Sequence, residues 1–417
     1  MREAYDCIVL GGGPAGTAAA ALVAEAGHAT LLVEREKTPR FHVGESLMPE
    51  TYWTFERLGI LDELKSSRFT RKLSVQFVNA RGKASKPFYF HEHDGRDCSQ
   101  TWQVRRSEFD RLLWDNAAAK GADCYDQTRV IDVALEGDRA TGVTLTTADG
   151  ETRQVAARVV IDASGQQSLI ANRLNLLRPN PRLRKSAIWT YYRGAERAEG
   201  IDGGATVILH TEDKENWFWY IPLHDDVTSV GLVGDVDRLF ASREPPAQVF
   251  QTQLARCQNL EARLADAERV DDFHVAREFS YKAERAAGDG WVLIGDAYGF
   301  IDPIYSSGVF FALKTAEMAA DCVIDALAAD DVSAARLGAW AAEFDRGANL
   351  VRKLIAAFYT KEFSFGEFLA QHPEHVGNMT DLLIGRIFYD GAERIFEDMD
   401  PYIANLTGTA APLAADR

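Results

Sequence analysis

Gly11, Gly13 and Gly16 stand at the spacing G-x-G-x-x-G, and an acid, Glu34, closes the next apolar run. At these places glycine acts by lacking a side chain. Gly11 permits a tight turn, Gly13 lets backbone N–H groups approach a pyrophosphate, and Gly16 lets a helix pack closely on a strand. Pro14 and Ala15 complete the turn, and a helix N-terminus after it offers unpaired amides and partial positive charge to a diphosphate. Glu34 can accept hydrogen bonds from both hydroxyls of a ribose, and its charge repels a 2′-phosphate. The group points to a dinucleotide without choosing between FAD and NAD.

Other residues along the chain have the right chemistry to join such a site. Arg35 and Arg40 lie in the polar loop after Glu34, and Arg40 reads either as a diphosphate contact or as an exposed loop arginine. Gly44-Glu45-Ser46 reads either as an N-cap or as a loop folded over the cofactor. Arg106, at a strand–helix junction, is a candidate cofactor contact. Asp296 stands at the end of the buried run Trp291–Ala297, where a carboxylate suits a polyol hydroxyl. Ser306, Ser307 and Gly308 begin a helix whose amides make a second candidate anion site. In Trp217-Phe218-Trp219-Tyr220-Ile221-Pro222, alternation puts Trp217, Trp219 and Ile221 on one face and Phe218 and Tyr220 on the other. Such a strand is buried on both sides, by core packing or against a flat ring. Lys72, just before a strand, reads on its own as a solvated charge, and His91 and His93 as part of a solvated loop rather than a metal site.

The elements that must position these residues follow from periodicity. Tyr5–Leu10 and Ala29–Val33 are expected as buried strands around the small-residue helix Thr17–Glu25. Thr51–Ser67 has helical spacing, Leu73–Val78 reads as a strand, and Ser107 is expected to cap a helix continuing through Arg111–Lys120, with Asp110 in a capping arrangement. Arg129–Val133, Thr141–Thr147 and Glu151–Ala157 form a meander that returns the chain to a buried strand, Val159–Gly165. The small residues ending that strand mark a close approach, by packing or by the adenosine side of a cofactor. Long alternating segments from 181 to 278 predict an antiparallel sheet for a second domain. The first domain is thus expected over 1–180, closing over 279–330, with a helical region over 331–417 whose last residues, Thr407 to Arg417, fray.

Composition narrows the class. The 417 residues suffice for two domains, with 46% hydrophobic and 26% charged residues and no repeat. The net charge of -16 argues against nucleic acid and anionic membrane surfaces. No apolar run predicts a transmembrane helix, and the first strand follows the N-terminus too closely for a signal peptide to be expected. The five cysteines are widely spaced and form no C-x-x-C, as expected for reduced cytoplasmic thiols.

Taken together, the N-terminal fingerprint, Val159–Gly165 and Ile294-Gly295-Asp296 resemble FAD proteins of the p-hydroxybenzoate hydroxylase type. The resemblance covers the chain to about residue 330 and implies a Rossmann-like α/β FAD-binding domain, an antiparallel-sheet substrate domain and a helical C-terminal region. Two further motifs resemble the flavin-dependent halogenases. Trp217–Pro222 matches W-x-W-x-I-P, and Phe300, Pro303, Ser306 and Gly308 match F-x-x-P-x-x-S-x-G. Lys72 sits where that family carries its catalytic lysine.

The resemblance implies FAD as cofactor and chloride or bromide as co-substrate, with halide held near Ser306, Ser307 and Gly308. Hypohalous acid would reach Lys72, and the strand carrying Trp217, Trp219, Ile221 and Pro222 would separate flavin from substrate. Ser74 stands where the family usually has a glycine two residues after the lysine, and Tyr305 replaces the glutamate of the tryptophan-specific enzymes. The chain is thereby closer to the branch acting on phenols, pyrroles or aliphatic carbons, often carrier-tethered. With a single nucleotide fingerprint, a separate flavin reductase is expected to supply electrons. The competing readings are an FAD-dependent monooxygenase or a geranylgeranyl-reductase-like enzyme, and a non-enzymatic flavin scaffold.

Overall fold

The computed structural model describes residues 1–408, except for the side chains of 277–279. The expected frayed tail lies, from 409 onward, outside the described residues. Thr407 itself ends the helix Ile395–Thr407.

The first strand, Ala4–Leu10, runs into Gly11 at φ 107°, a left-handed turn that glycine adopts without strain. The helix Pro14–Glu25 begins earlier than expected, because proline at the first helical position gives up an amide that no helical carbonyl would accept. Its small residues let it pack between the sheet and the helices Arg106–Ala119 and Ser307–Ala328. A Cβ on Gly16 would lie 1.9 Å from the Gly11 carbonyl oxygen, so only glycine allows this approach.

Around Ala4–Leu10 the strands Trp291–Leu293, Thr152–Asp162, Thr30–Val33 and Asp123–Tyr125 make a parallel sheet, edged by the antiparallel Ala287–Gly288. Thr152–Asp162 joins two segments expected as separate strands. Its first half pairs antiparallel with Arg139–Thr146 and its buried second half pairs parallel with Ala4–Leu10, so the polarity changes while the backbone does not. Conversely, the expected helix Thr51–Ser67 breaks at Gly59, whose φ of 75° ends Thr51–Leu58 before Leu61–Ser66 begins. The helix at Arg106 also differs from expectation. Arg105 holds its N-cap position, Ser107 lies inside the first turn, and the Asp110 carboxylate takes Arg106 rather than a backbone amide.

The second sheet orders Gly299–Phe300, His274–Ala283, Leu177–Arg193, Val227–Asp235, Trp217–Pro222, Thr206–His210, Ser74–Val78 and Phe88–Tyr89. It is antiparallel except where Thr206–His210 meets Ser74–Val78. The last two strands come from well before residue 181. A small third sheet pairs Thr70–Lys72 with Thr101–Gln103. The C-terminal helices are anchored over this region by Arg386, which ion-pairs with Glu50 at 3.3 Å, with Asp381 at 3.4 Å and with Asp94.

Alternation along Trp217–Pro222 is as expected. Phe218 and Tyr220 join one buried cluster with Leu232 and Phe250, while Trp217, Trp219 and Ile221 join the main core. Trp219 stands opposite Gly231, where a Cβ would come within 2.1 Å of the indole. Gly231→Ala should therefore displace Trp219 and destabilise the fold by about 1–3 kcal/mol, read by urea denaturation and tryptophan fluorescence. Unchanged values for both would refute this account of the glycine.

Candidate functional site

A cleft of about 490 Å³ runs between the parallel sheet and the second sheet, from Glu34 and Arg40 past Gly13 to Trp217, Trp219 and Asp302. At its first end the backbone supplies donors. Thr17 N is the first helix amide to bond back, to Gly13 O at 3.0 Å, leaving those of Ala15 and Gly16 without helical partners. A Cβ on Gly13 would meet only Arg40 Nη2, at 3.5 Å, so this face opens on the cleft. Gly12 N donates to Glu34 Oε2 at 2.8 Å. Arg40 pairs with Glu34 at 3.4 Å and with Asp110 at 3.3 Å, which holds it in the wall rather than out in solvent. Arg35 also reaches the wall, though half exposed and paired with Glu36.

Gly44-Glu45-Ser46 is not an N-cap. Val104 N donates to Glu45 O at 2.7 Å and Leu47 N to Trp102 O at 3.1 Å, so the segment lies along the strand Thr101–Gln103. Arg106 clamps it, donating to Val43 O at 2.6 Å while held by Asp110 at 2.8 Å. The Glu45 carboxyl accepts from Tyr191 Oη at 2.5 Å and from Ser229 Oγ at 3.3 Å, and Ser229 Oγ in turn accepts from Trp219 Nε1 at 3.1 Å. Burial raises the Glu45 pKa, with the Tyr191 bond opposing.

At the far end, Asp296 sits in a short turn and is pushed up to about 6 by burial against the opposing charge of Arg106. Ser306 has φ 57° and leads into the helix Ser307–Ala328, which begins ahead of the expected Val309. A left-handed residue followed by a right-handed turn gathers backbone N–H groups into a concavity suited to anions. Pro303, Ser306 and Gly308 line the cleft, whereas the Ser307 side chain is buried behind it. Asp302 is buried in the same wall and pushed up to about 7, chiefly by desolvation. It accepts from Ile304 N at 3.0 Å and from Tyr359 Oη at 3.1 Å, and Trp217 Nε1 donates to that same hydroxyl at 3.1 Å.

Lys72 is not a solvated charge. It is 4% exposed, and burial lowers its pKa to about 7. Its Nζ donates to Ser46 Oγ and to Leu47 O, both at 2.9 Å, and stands 5.9 Å from the centre of the Phe90 ring. The cleft wall is formed by Ser46 and Thr206, whose hydroxyls are 2.8 Å apart. Lys72 thus lies one hydrogen bond behind the wall.

Of the residues singled out from the sequence, Gly11, Gly13, Pro14, Ala15, Glu34, Arg35, Arg40, Glu45, Ser46, Arg106, Trp217, Trp219, Ile221, Asp296, Pro303, Ser306 and Gly308 share this wall. Gly16 packs beneath it, and Pro222 faces the opposite way, onto a separate 130 Å³ cavity with Tyr220. Tyr191, Thr206, Ser229 and Tyr359 were missed, because nothing in their local spacing marks them. Asp302 alone had a local signal, beside Pro303. The free amides at Ala15 and Gly16, the open face of Gly13 and the Glu34 carboxylate fit a dinucleotide's diphosphate and ribose. Trp217, Trp219 and Ile221 supply an apolar wall for a planar ring.

The chain matches the FAD binding domain family over residues 4–327. It is 31% identical to a 1H-pyrrole-2-carbonyl-(peptidyl-carrier protein) brominase of Pseudoalteromonas luteoviolacea, over 93% of each chain. It is 28% identical to a 1H-pyrrole-2-carbonyl-(peptidyl-carrier protein) chlorinase of Pseudomonas fluorescens, over 96% of this chain and 93% of that protein. The solved structure of the flavin-dependent brominase Bmp2 superposes with a TM-score of 0.87 at 29% identity, covering 96% of this chain and 99% of the other. Fold, cleft and sequence agree: the protein belongs to the flavin-dependent halogenases and is an FAD-dependent enzyme.

Proposed function

We propose that the protein halogenates an electron-rich aromatic ring, a pyrrole or phenol presented on a carrier protein, using reduced FAD, oxygen and chloride or bromide. The observation that carries this reading is Lys72, buried with neutral partners one hydrogen bond behind the wall of the cleft. Its relatives named for a pyrrole on a carrier protein support the substrate class. The monooxygenase and reductase alternatives are not favoured by these relatives. Reduced by a separate flavin reductase, FAD supplies with oxygen the two-electron oxidation of halide to hypohalous acid.

The chain's own residues do the rest. Glu34 takes the ribose hydroxyls, Arg35 lies beside it, and Arg40 and the amides after Gly13 take the diphosphate. Glu45, Arg106 and Asp296 face the remainder of the cofactor, and the turn from Pro303 through Ser306, Ser307 and Gly308 holds the halide. Trp217, Trp219 and Ile221, on the strand that ends in Pro222, keep substrate out of this chamber. Hypohalous acid passes Ser46 and Thr206 to Lys72. The amine nitrogen forms a bond to halogen as the oxygen–halogen bond breaks and one N–H proton passes to the departing hydroxide, which leaves as water; the halogen then transfers to ring carbon while the ring proton returns to nitrogen. On this reading residues 1–180 and 279–330 hold the cofactor, 181–278 build the substrate platform together with the strands Ser74–Val78 and Phe88–Tyr89, and 331–408 cover it, with the enzyme acting in the cytoplasm. Among the described residues no helix is long and apolar enough to cross a membrane.

Lys72→Ala should keep FAD bound but lower halogenated product by at least about 100-fold, while a small-molecule scavenger still detects hypohalous acid. Product formation undiminished in that variant would remove Lys72 from the reaction. Because the attacking form of Lys72 is the neutral amine, the rate at saturating halide should rise as pH passes upward through about 7.

Asp302 gives the opposite slope. Ionised above about 7, it repels halide in the shared wall, so the halide KM should rise with pH there. Lys185 opposes that charge from the neighbouring strand, while Tyr359 and Tyr305 face it from their helix and loop. Asp302→Asn should flatten this dependence, and a halide KM in Asp302→Asn that still climbs with pH would exclude the carboxylate as its source.

A further inference from the structure

We propose that Gln103 and Thr206 are positioning residues that aim the Lys72 amine, acting through Ser46. The inference rests on Lys72 as the halogen carrier and adds the residues that fix its geometry. The strand Thr70–Lys72 pairs antiparallel with Thr101–Gln103, placing Lys72 opposite Thr101 and Thr70 opposite Gln103. On the other side of Thr101–Gln103, Ser46 bridges directly to Gln103. Side chains two apart on a strand share a face, and directly paired residues share one too. Ser46, Gln103 and Lys72 therefore stand on one face of a three-stranded patch, and Thr206 of the second sheet meets that face.

The hydrogen bonds run in one chain. Gln103 Nε2 donates to Gly204 O at 3.0 Å and to Thr206 Oγ1 at 2.8 Å, which fixes the amide and occupies one lone pair of the threonine. Thr206 Oγ1 lies 2.8 Å from Ser46 Oγ, and Ser46 Oγ accepts from Lys72 Nζ at 2.9 Å. Leu47 O accepts a second Lys72 proton. A neutral amine has two N–H bonds and one lone pair, so these two acceptors use both protons and leave the lone pair a single direction. Every group in the chain is neutral. A carboxylate in the place of Ser46 would orient the amine equally well, but it would hold it protonated and without a lone pair to attack halogen. Both Gln103 and Thr206 are buried, Gln103 completely.

The test measures where halogen goes, with no organic substrate present. FAD-loaded protein is turned over with bromide, released hypohalous acid is followed with monochlorodimedone, and protein-bound halogen is titrated after gel filtration with thionitrobenzoate. Variants are compared at equal bound FAD. Thr206→Val and Gln103→Leu should each lower the ratio of bound to released halogen about tenfold, as expected for one lost orienting hydrogen bond. Thr206→Ser, which keeps the hydroxyl, should restore the ratio. A purely structural role would change the total and leave the ratio alone. If both variants keep the wild-type ratio while Lys72→Ala loses its bound halogen, the positioning role is overturned and Lys72 stands. If Lys72→Ala retains bound halogen, the assignment of Lys72 itself falls.

Discussion

An amine has been taken out of water here with no counter-charge beside it. Removing Lys72 from solvent disfavours its ammonium form, and nothing among its partners reverses that. The surroundings then have a demanding task. They must satisfy the nitrogen's hydrogen bonds without ionising it, and they must do so from segments far apart in sequence. The Ser46–Gln103 bridge, the pairing of Thr70–Lys72 with Thr101–Gln103, and the approach of Thr206 together meet that requirement. A slip of one residue in any of these registers would turn the polar face over and leave the nitrogen unpartnered.

The same logic of burial runs along the cleft. Glu45, Asp296 and Asp302 all have raised pKa values because they are desolvated, not because like charges crowd them. Each is supported differently: Glu45 by Tyr191 and Ser229, Asp296 by the charge of Arg106, Asp302 by Tyr359 and a backbone amide. Asp296 and Asp302, pushed up to about 6 and about 7, lose charge easily near neutral pH, which would suit the proposed binding of a halide there. The positive end of the Ser307–Ala328 helix adds to that field without adding a titratable group.

The helical C-terminal region takes part in the site although it lies beyond the matched FAD binding domain. Tyr359, from the helix Ala341–Tyr359, accepts from Trp217 and donates to Asp302, joining the two motif segments through one hydroxyl. Arg386 ties the helices at the other side to Glu50 and Asp94, close to the strands that carry Lys72. The region therefore acts as a brace on the chemistry.

Much of this was legible in the sequence, for reasons that are local. The glycine spacing, the acid at Glu34, the alternation of Trp217–Pro222 and the loop from Phe300 to Gly308 are short patterns whose chemistry depends on neighbours in the chain. The alternation even placed Trp217, Trp219 and Ile221 together on the face that lines the cleft. What the sequence left open was decided by contacts between distant segments. Arg40 was ambiguous until Asp110 held it, Gly44-Glu45-Ser46 until it paired with Thr101–Gln103, and Lys72 read as a surface charge until three segments closed over it. Gln103, Thr206, Ser229 and Tyr359 carry no local mark at all. Burial and hydrogen-bond partnership are properties of tertiary packing, and a side chain's pKa and orientation follow from them. The chain alone therefore determined the cofactor class and the motif faces, and only the fold determined which polar side chain stands beside which.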